Sequence, residues 1–274
     1  MTTDYSKLSM VYSYCYWNAW FHNEENRVDI SKLEEQGYSW RMDSEKYNAM
    51  LNGRVCPICH NQGFIVVHPT VIHGIELREV FCLCKILDMI DEPYQIESWW
   101  EPRFLDEYDT KFGDKNLLKQ VEMFAEFPLG WHYLYGGLGS GKTMMLYIIK
   151  EYLRGMAMYL TTADLNEQVF KAVRNHNLDE LIDQVAGAEV LLLDDFGAEY
   201  SSEFFFSTLY TIINRRYSRH ERYPTFFTSN LTFKELAGSS SMEMKRIVDR
   251  ISDTNFVNVL VVKQSSYRQR KVAS

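Results

Sequence analysis

No apolar run in the 274-residue sequence approaches the roughly 18–20 residues needed to span a bilayer. The opening residues, MTTDYSKLSM, lack a basic segment followed by an apolar one, so no secretory leader is expected and the protein is expected to be cytoplasmic. Basic residues are in deficit: Lys plus Arg number 29 against 37 for Asp plus Glu, a formal charge of −8. That excludes a uniformly basic coat for nucleic acid, and any nucleic-acid site has to be a local patch. Cysteine is scarce and odd in number, and four of the five fall as two close pairs. This is unlike the disulfide framework of a secreted domain and suits an intracellular metal site. Internal repeats and low-complexity tracts are absent. What remains is an ordinary globular composition, 46% hydrophobic and 24% charged, with an aromatic content of 15% that needs burial or partners.

Composition changes along the chain. Residues 1–50 are dense in aromatics, with Tyr5, Tyr12, Tyr14, Tyr16, Trp17, Trp20 and Phe21 in the first 21. Residues 51–90 carry the paired cysteines. Residues 91–113 contain Pro93, Pro102 and Gly113 without a clean period and read as a linker. From about 114 the pattern alternates. Apolar runs of strand length at 131–135, 156–161, 190–194, 225–229 and 256–262 are separated by stretches with helical spacing, as over 142–154. The expected architecture is therefore an α/β domain over 114–274, with a parallel sheet flanked by helices, preceded by a small N-terminal domain over 1–90.

Residues 136–143 read Gly136-Gly137-Leu138-Gly139-Ser140-Gly141-Lys142-Thr143 and fit the phosphate-loop pattern G-x-x-x-x-G-K-[ST] at every fixed position, between an apolar run and a helical stretch. The glycines let successive N–H groups point at one phosphate, and the helix N-terminus adds positive potential. Lys142 is placed to neutralise the β- and γ-phosphates, and the Thr143 hydroxyl to ligate Mg²⁺. Downstream, residues 190–195, VLLLDD, form a buried-type strand ending in two carboxylates. Asp194 can hold Mg²⁺ and Asp195 can orient or deprotonate the attacking water; alone, such an ending also fits a turn. Residues 225–230, TFFTSN, end in Asn230, which could position water beside the γ-phosphate or simply close a strand. The segment 242–251 sets Arg246 and Arg250 on one helical face. That face is either a surface ion-pair face with Lys245 and Asp249, or one that sends Arg250 as a finger to a neighbouring subunit's γ-phosphate.

Taken in order, GGLGSGKT, YLTTADL, VLLLDDFG, NRRYSRHERYPTFFTSNL, RIVDRISD and a final SYR resemble the AAA+ ATPases of the DnaC/DnaI-type replicative helicase loaders, with IstB-type transposition ATPases as relatives. The resemblance covers about residues 114–274. It implies ATP and Mg²⁺ at Lys142, Thr143 and Asp194, with Asp195 as the catalytic acid/base. It also implies Asn230 as sensor 1, Arg250 as the trans-acting finger and Arg268 as sensor 2. Only 44 residues follow Asn230, and the resemblance implies a core without a full C-terminal lid. It further implies an oligomer that shares its ATP sites and holds single-stranded DNA, with Phe170, Lys171, Arg174, Ser202 and Phe204 as candidate contacts; basic and aromatic groups grip a backbone and stack bases without reading sequence. The implied function is ATP-dependent loading of a replicative helicase. The alternatives are a transposition helper acting on duplex DNA and an ATP-binding adaptor with little turnover. The tail from Lys263, with Arg268, Arg270 and Lys271 and no acid, forms a local basic patch.

Cys56-x2-Cys59, 22 residues, and Cys82-x-Cys84 supply two knuckles for tetrahedral Zn²⁺. His60, His68 and His73 are rival ligands, and buried free cysteines are the plainer reading. Cys15 has no partner in the sequence and reads as a core residue. A module of about 40 residues has little core of its own, so the metal is expected to be structural. The CPIC…CLC pattern also resembles zinc modules that precede the ATPase domain of some loaders. With the aromatic segment it would form the adaptor that meets the helicase.

Overall fold

A computed structural model describes residues 10–22, 35, 53, 55–56, 58–72, 75–91, 114–197 and 202–263. The chain divides into two compact units, residues 1–94 and 95–274. All but residue 91 of the expected linker lies outside the described residues, as do Arg268 and the rest of the basic tail beyond Lys263.

In the first unit, helix α1 (Met10–His22) packs against an antiparallel ribbon of β1 (Phe64–Ile72) and β2 (Ile75–Phe81), which leads into α2 (Leu83–Asp91). The aromatic richness of α1 serves mainly this packing. Val11, Tyr12, Tyr14, Cys15 and Trp17 are buried, and the Trp17 indole donates to the Phe81 carbonyl at 2.9 Å. In return, the Phe81 N–H donates to Ser13 Oγ at 2.8 Å. Cys15 is fully buried, as its sequence isolation suggested, and burial pushes its thiol pKa up.

The second unit runs α3 (Lys115–Glu126), β3 (Trp131–Gly136), α4 (Lys142–Leu153), β4 (Ala157–Thr161), α5 (Thr162–Arg174), α6 (Leu178–Gly187), β5 (Val190–Asp194), α7 (Glu203–Tyr217), β6 (Thr225–Ser229), α8 (Phe233–Ala237), α9 (Met242–Ile251) and β7 (Val257–Val262). The five strands form one parallel sheet in the order β4-β5-β6-β3-β7. Every residue of β5 and β6 is buried, which is why these strands read as continuous apolar runs rather than alternating ones. Several of the helices start where short polar side chains satisfy their free N–H groups. Asp114 accepts from Asn116 N and Leu117 N ahead of α3, and Thr161 with Asp164 forms a capping box on α5. The consequence for function is the position of β6. Chain order takes β3 by way of α4 out to the edge strand β4, then back through β5, so β6 is inserted between the phosphate-loop strand and the strand that ends in Asp194-Asp195.

Arg216, fully buried on α7, ties the opposite edge of this sheet. Its guanidinium donates to the carbonyls of Ala186, Ala188 and Pro224 at 3.1, 2.7 and 2.7 Å, and to Thr225 Oγ1 at 2.9 Å. It thus closes the C-terminal end of α6 and joins the entries to β5 and β6. Nearby Glu189 supplies compensating charge; burial raises its pKa, while Arg222 and Arg216 oppose the rise. Arg216→Met keeps the volume but leaves several buried carbonyls bare, and should cost about 3–5 kcal/mol of stability. Arg216→Lys should recover little, because an ammonium cannot span the fan of acceptors that a planar guanidinium serves. Denaturant unfolding of both variants checks this; losses below about 1 kcal/mol would show that the network is dispensable.

Candidate nucleotide site and cysteine centre

At the C-terminal edge of the sheet, the glycines of the phosphate loop serve distinct ends. A Cβ on Gly136 would lie 2.8 Å from the Val262 Cβ and carbonyl oxygen, so the loop leaves the sheet at a point where β7 allows no side chain. Gly141 precedes α4 with φ 97°, in the left-handed region where glycine carries no steric penalty. Leu138 at the loop's tip is 78% exposed. Lys142 is the first residue of α4 and is buried, and that burial lowers its pKa while Asp195 and Asp194 raise it. Its ammonium donates to the carbonyls of Gly136 and Gly137, each at 3.0 Å, to Asn230 Oδ1 at 2.7 Å, and more distantly to Ser140 Oγ at 3.4 Å. Lys142 and Asn230, 88 residues apart, meet because β6 lies beside β3. Asn230 is held on both sides. Tyr133 donates its hydroxyl to the Leu231 carbonyl at 2.6 Å, and Ser229 Oγ donates to the Phe196 carbonyl at 2.6 Å.

The two carboxylates differ. Asp194 is 1% exposed, and its oxygens accept from Asp195 N at 3.0 Å, from the Thr228 hydroxyl, and from the Tyr159 hydroxyl at 2.9 Å. Asp195 is exposed, with φ 52°. That left-handed conformation is one Asp adopts more readily than most residues, and it turns the chain sharply after β5. The Asp195 carbonyl accepts from Thr162 Oγ1 at 2.8 Å, and its N–H is shared with Thr228 Oγ1 at 3.1 Å. Partial desolvation first, and then the Asp194 charge, raise the Asp195 pKa, while Lys142 lowers it. The donor set suits Mg²⁺: Asp194 has four lone-pair directions and three donors, and the Thr143 hydroxyl opens α4 next to Lys142.

Other expected site residues lie elsewhere. Arg250, on α9, does not join the Lys142 cluster. Its Nε donates to Asn214 Oδ1 at 2.9 Å, Nη1 to the Arg246 carbonyl at 2.9 Å and Nη2 to the Tyr210 hydroxyl at 3.0 Å. Its guanidinium also lies 4.9 Å from the Tyr210 ring centroid and 5.4 Å from that of Tyr217. Phe170, Lys171 and Arg174 form an exposed face at the end of α5, where the two cations also suit the helix C-terminus. Phe204 is 45% exposed at the start of α7. Ser202 caps that helix, its Oγ accepting from Phe205 N at 3.2 Å. Arg268 lies outside the described residues. Tyr159, Thr162 and Thr228 were not among the sequence candidates; their only trace there is a hydroxyl in otherwise apolar strands or at a helix start.

In the first unit, Cys56, Cys59, Cys82 and Cys84 bring their four Sγ atoms within 4.8 Å of one another. Cys56 and Cys82 are 3.9 Å apart, and Cys59 and Cys84 3.6 Å. A tetrahedral S₄ site with Zn–S bonds of about 2.3 Å has edges of about 3.8 Å, so the thiols fit this ion. The tight Cys-x-Cys pair works because Cys82 immediately precedes α2 and Cys84 lies in its first turn. The first knuckle turns through His60 and Asn61, both at positive φ, and Asn61 Oδ1 accepts from Cys56 N at 2.9 Å. Hydrogen bonding from the Cys82 thiol holds the Cys84 pKa down at about 6, and the same contact pushes Cys82 up. His60 and His68 are not in the cluster, and His73 lies outside the described residues.

A family model described as IstB-like ATP binding protein matches residues 130–274. The chain belongs to this family. Its match takes in both the phosphate loop and the paired carboxylates. The replicative helicase loader DnaI of Bacillus subtilis (strain 168) is 33% identical over 192 residues, 62% of this chain and 60% of the loader. The chain thus spans about three fifths of that relative's length. Among solved structures, a replication initiator DnaA bound to AMPPCP and single-stranded DNA aligns with a TM-score of 0.52 and 18% identity, over 64% of this chain and 56% of that one. AMPPCP-bound DnaA from Aquifex aeolicus aligns at 0.50 and 16%, over 64% and 56%. These two likenesses establish the AAA+ fold. No helix among the described residues is long and apolar enough to cross a membrane.

Proposed function

We propose that the chain is an ATP-dependent loader of a replicative DNA helicase, acting in the cytoplasm. The helicase reading is carried by the similarity to the Bacillus subtilis loader. The ATP reading is supported by the site itself, where one ammonium from α4, one amide just after β6 and two carboxylates at the end of β5 converge. In this reading the backbone of residues 136–143 cradles the phosphates and Lys142 balances their charge. Thr143 and Asp194 would hold Mg²⁺, which when bound screens the phosphate oxygens. Asp195 orients the attacking water and takes its proton, and Asn230, tethered to Lys142, positions that water beside the γ-phosphate. Arg250 serves a neighbouring subunit's site, and Arg268 acts as sensor 2. Phe170, Lys171, Arg174 and Phe204 bind single-stranded DNA, with Ser202 fixing the start of the helix that carries Phe204. Residues 1–90 form the helicase-binding adaptor, built around zinc held by the four cysteines, and residues 114–274 form the ATPase domain.

The test combines the full chain with the host's replicative helicase and circular single-stranded DNA. Helicase should be deposited on the circle with ATP and not without it. ATP-dependent binding to duplex DNA with no capture of helicase would overturn the loader reading in favour of a transposition helper.

The cysteine centre carries its own expectation. The purified full chain should contain about one zinc. Cys59→Ser should lose the metal and the amide-exchange protection of β1 and β2, while ATP binding by the second unit persists. Carefully purified protein free of zinc, with the ribbon still protected, would remove the metal reading.

A further inference from the structure

We infer that Tyr159 and Thr228 are positioning residues for the Asp194 carboxylate, fixing which of its lone pairs stays open to a divalent cation. The inference rests on the ATP reading above and adds residues to it. Strand β5 lies between β4 and β6, and each neighbour delivers one buried hydroxyl to the same carboxylate. From β6 the Thr228 hydroxyl donates to Oδ1, which also accepts from Asp195 N at 3.0 Å. From β4 the Tyr159 hydroxyl donates to Oδ2 at 2.9 Å. A carboxylate has about four acceptor directions. Oδ1 is therefore filled, and Oδ2 retains one.

The geometry explains why the residue on β4 is a tyrosine. In the β4–β5 ladder the residue opposite Asp194 is Thr161, and Tyr159 is two positions earlier, opposite Leu192. Two residues along a strand span roughly 6.6 Å on one face, a step that a phenol reaches across and a threonine does not. The direction of the proton also follows. Tyr159 has one O–H and two neighbours, the charged Asp194 at 2.9 Å and the neutral Tyr147 hydroxyl at 3.4 Å. The carboxylate takes it, and Tyr147, on α4, donates to Tyr159 in turn. The chain Tyr147 to Tyr159 to Asp194 links the helix that begins at Lys142 to the cation-binding carboxylate.

A purely structural role would weaken every form of nucleotide binding alike, whereas a positioning role acts only where the cation is present. ATP binding to the full-length chain should be measured by calorimetry with Mg²⁺ and again with EDTA. Tyr159→Phe keeps the ring and removes the donor. It should cut the Mg²⁺-dependent gain in affinity about 5–10-fold while changing the EDTA affinity by no more than about twofold. Thr228→Val should do the same and Thr228→Ser should restore the gain. Tyr147→Phe, which leaves the Asp194 bond intact, should have little effect. The proposal is overturned if Tyr159→Phe and Thr228→Val, folded by thermal melting, keep the full Mg²⁺-dependent gain, or lose affinity equally in both conditions. If the unsubstituted chain binds no ATP in either condition, the nucleotide reading fails first and the proposal falls with it.

Discussion

Lys142→Ala should weaken ATP binding by about 10²–10³-fold, whereas Asp195→Asn should bind ATP almost normally and hydrolyse it about 10²–10⁴ times more slowly. The contrast follows from what each side chain touches. The Lys142 ammonium is the cation at the head of α4 and also bonds the Gly136 and Gly137 carbonyls and Asn230. Its removal takes charge from the phosphates and bracing from the loop at once. Among the described residues the Asp195 carboxylate makes no hydrogen bond; its backbone N–H and carbonyl make the structural bonds, to Asp194, Thr228 and Thr162. Asparagine is the informative replacement because it tolerates the left-handed conformation at φ 52°, so a lost rate reports chemistry and not strain. Equilibrium binding of a fluorescent ATP analogue and steady-state phosphate release measure the two effects separately. Near-normal turnover by both variants would remove the ATPase assignment.

The second large effect is expected at Arg250. Substitution by alanine should leave ATP binding within a few-fold of normal and abolish stimulated hydrolysis, a loss of order 10³–10⁵ if the residue acts as such fingers do in other phosphoryl-transfer enzymes. In its own chain the guanidinium is seated rather than loose. Asn214, the Arg246 carbonyl and Tyr210 take three of its N–H groups, and its central carbon lies over the rings of Tyr210 and Tyr217. Two of its five N–H groups are uncommitted among the described residues, enough for a forked contact with phosphate oxygens. If Arg250 acts in trans, a side chain held this way would be ordered before it met the next subunit and would lose little freedom on docking. Mixing Arg250→Ala with Lys142→Ala should restore part of the activity, since some interfaces then pair an intact phosphate loop with an intact arginine. Demonstrated mixed oligomers that stay inactive would sink the shared site.

Much of the sheet is legible in the sequence because a parallel strand buried on both faces is written as an unbroken apolar run. The segments expected at 131–135, 190–194 and 225–229 match β3, β5 and β6 to within a residue. The phosphate loop is equally open to reading, since its glycine spacing is dictated largely by local backbone conformation, as at Gly141 with its φ of 97°. What cannot be read locally is what sheet order creates. That Asn230 bonds Lys142, or that Tyr159 and Thr228 converge on Asp194, depends on which strands lie side by side. Arg216 is silent for the same reason: nothing in NRRY distinguishes the arginine that bonds Asp183 at the surface, Arg215, from the one buried among four carbonyl and hydroxyl acceptors. The cysteine spacing announces a cluster, but only the start of α2 between Cys82 and Cys84 explains how so short a pair can serve it.

The insertion of β6 between β3 and β5 makes the site a gauge of fixed width. The phosphate loop and the paired carboxylates stand two inter-strand spacings apart, roughly 9–10 Å, and that interval is set by two ladders of buried hydrogen bonds. Changing it would mean tearing the middle of the sheet, so gain or loss of a terminal phosphate cannot be registered by the floor of the site opening or closing. It has to be registered at the ends of the rigid gauge, in the side chains of Asn230 and Asp195. In the reading proposed above, the response to a terminal phosphate therefore starts from movements of single side chains against an unyielding floor.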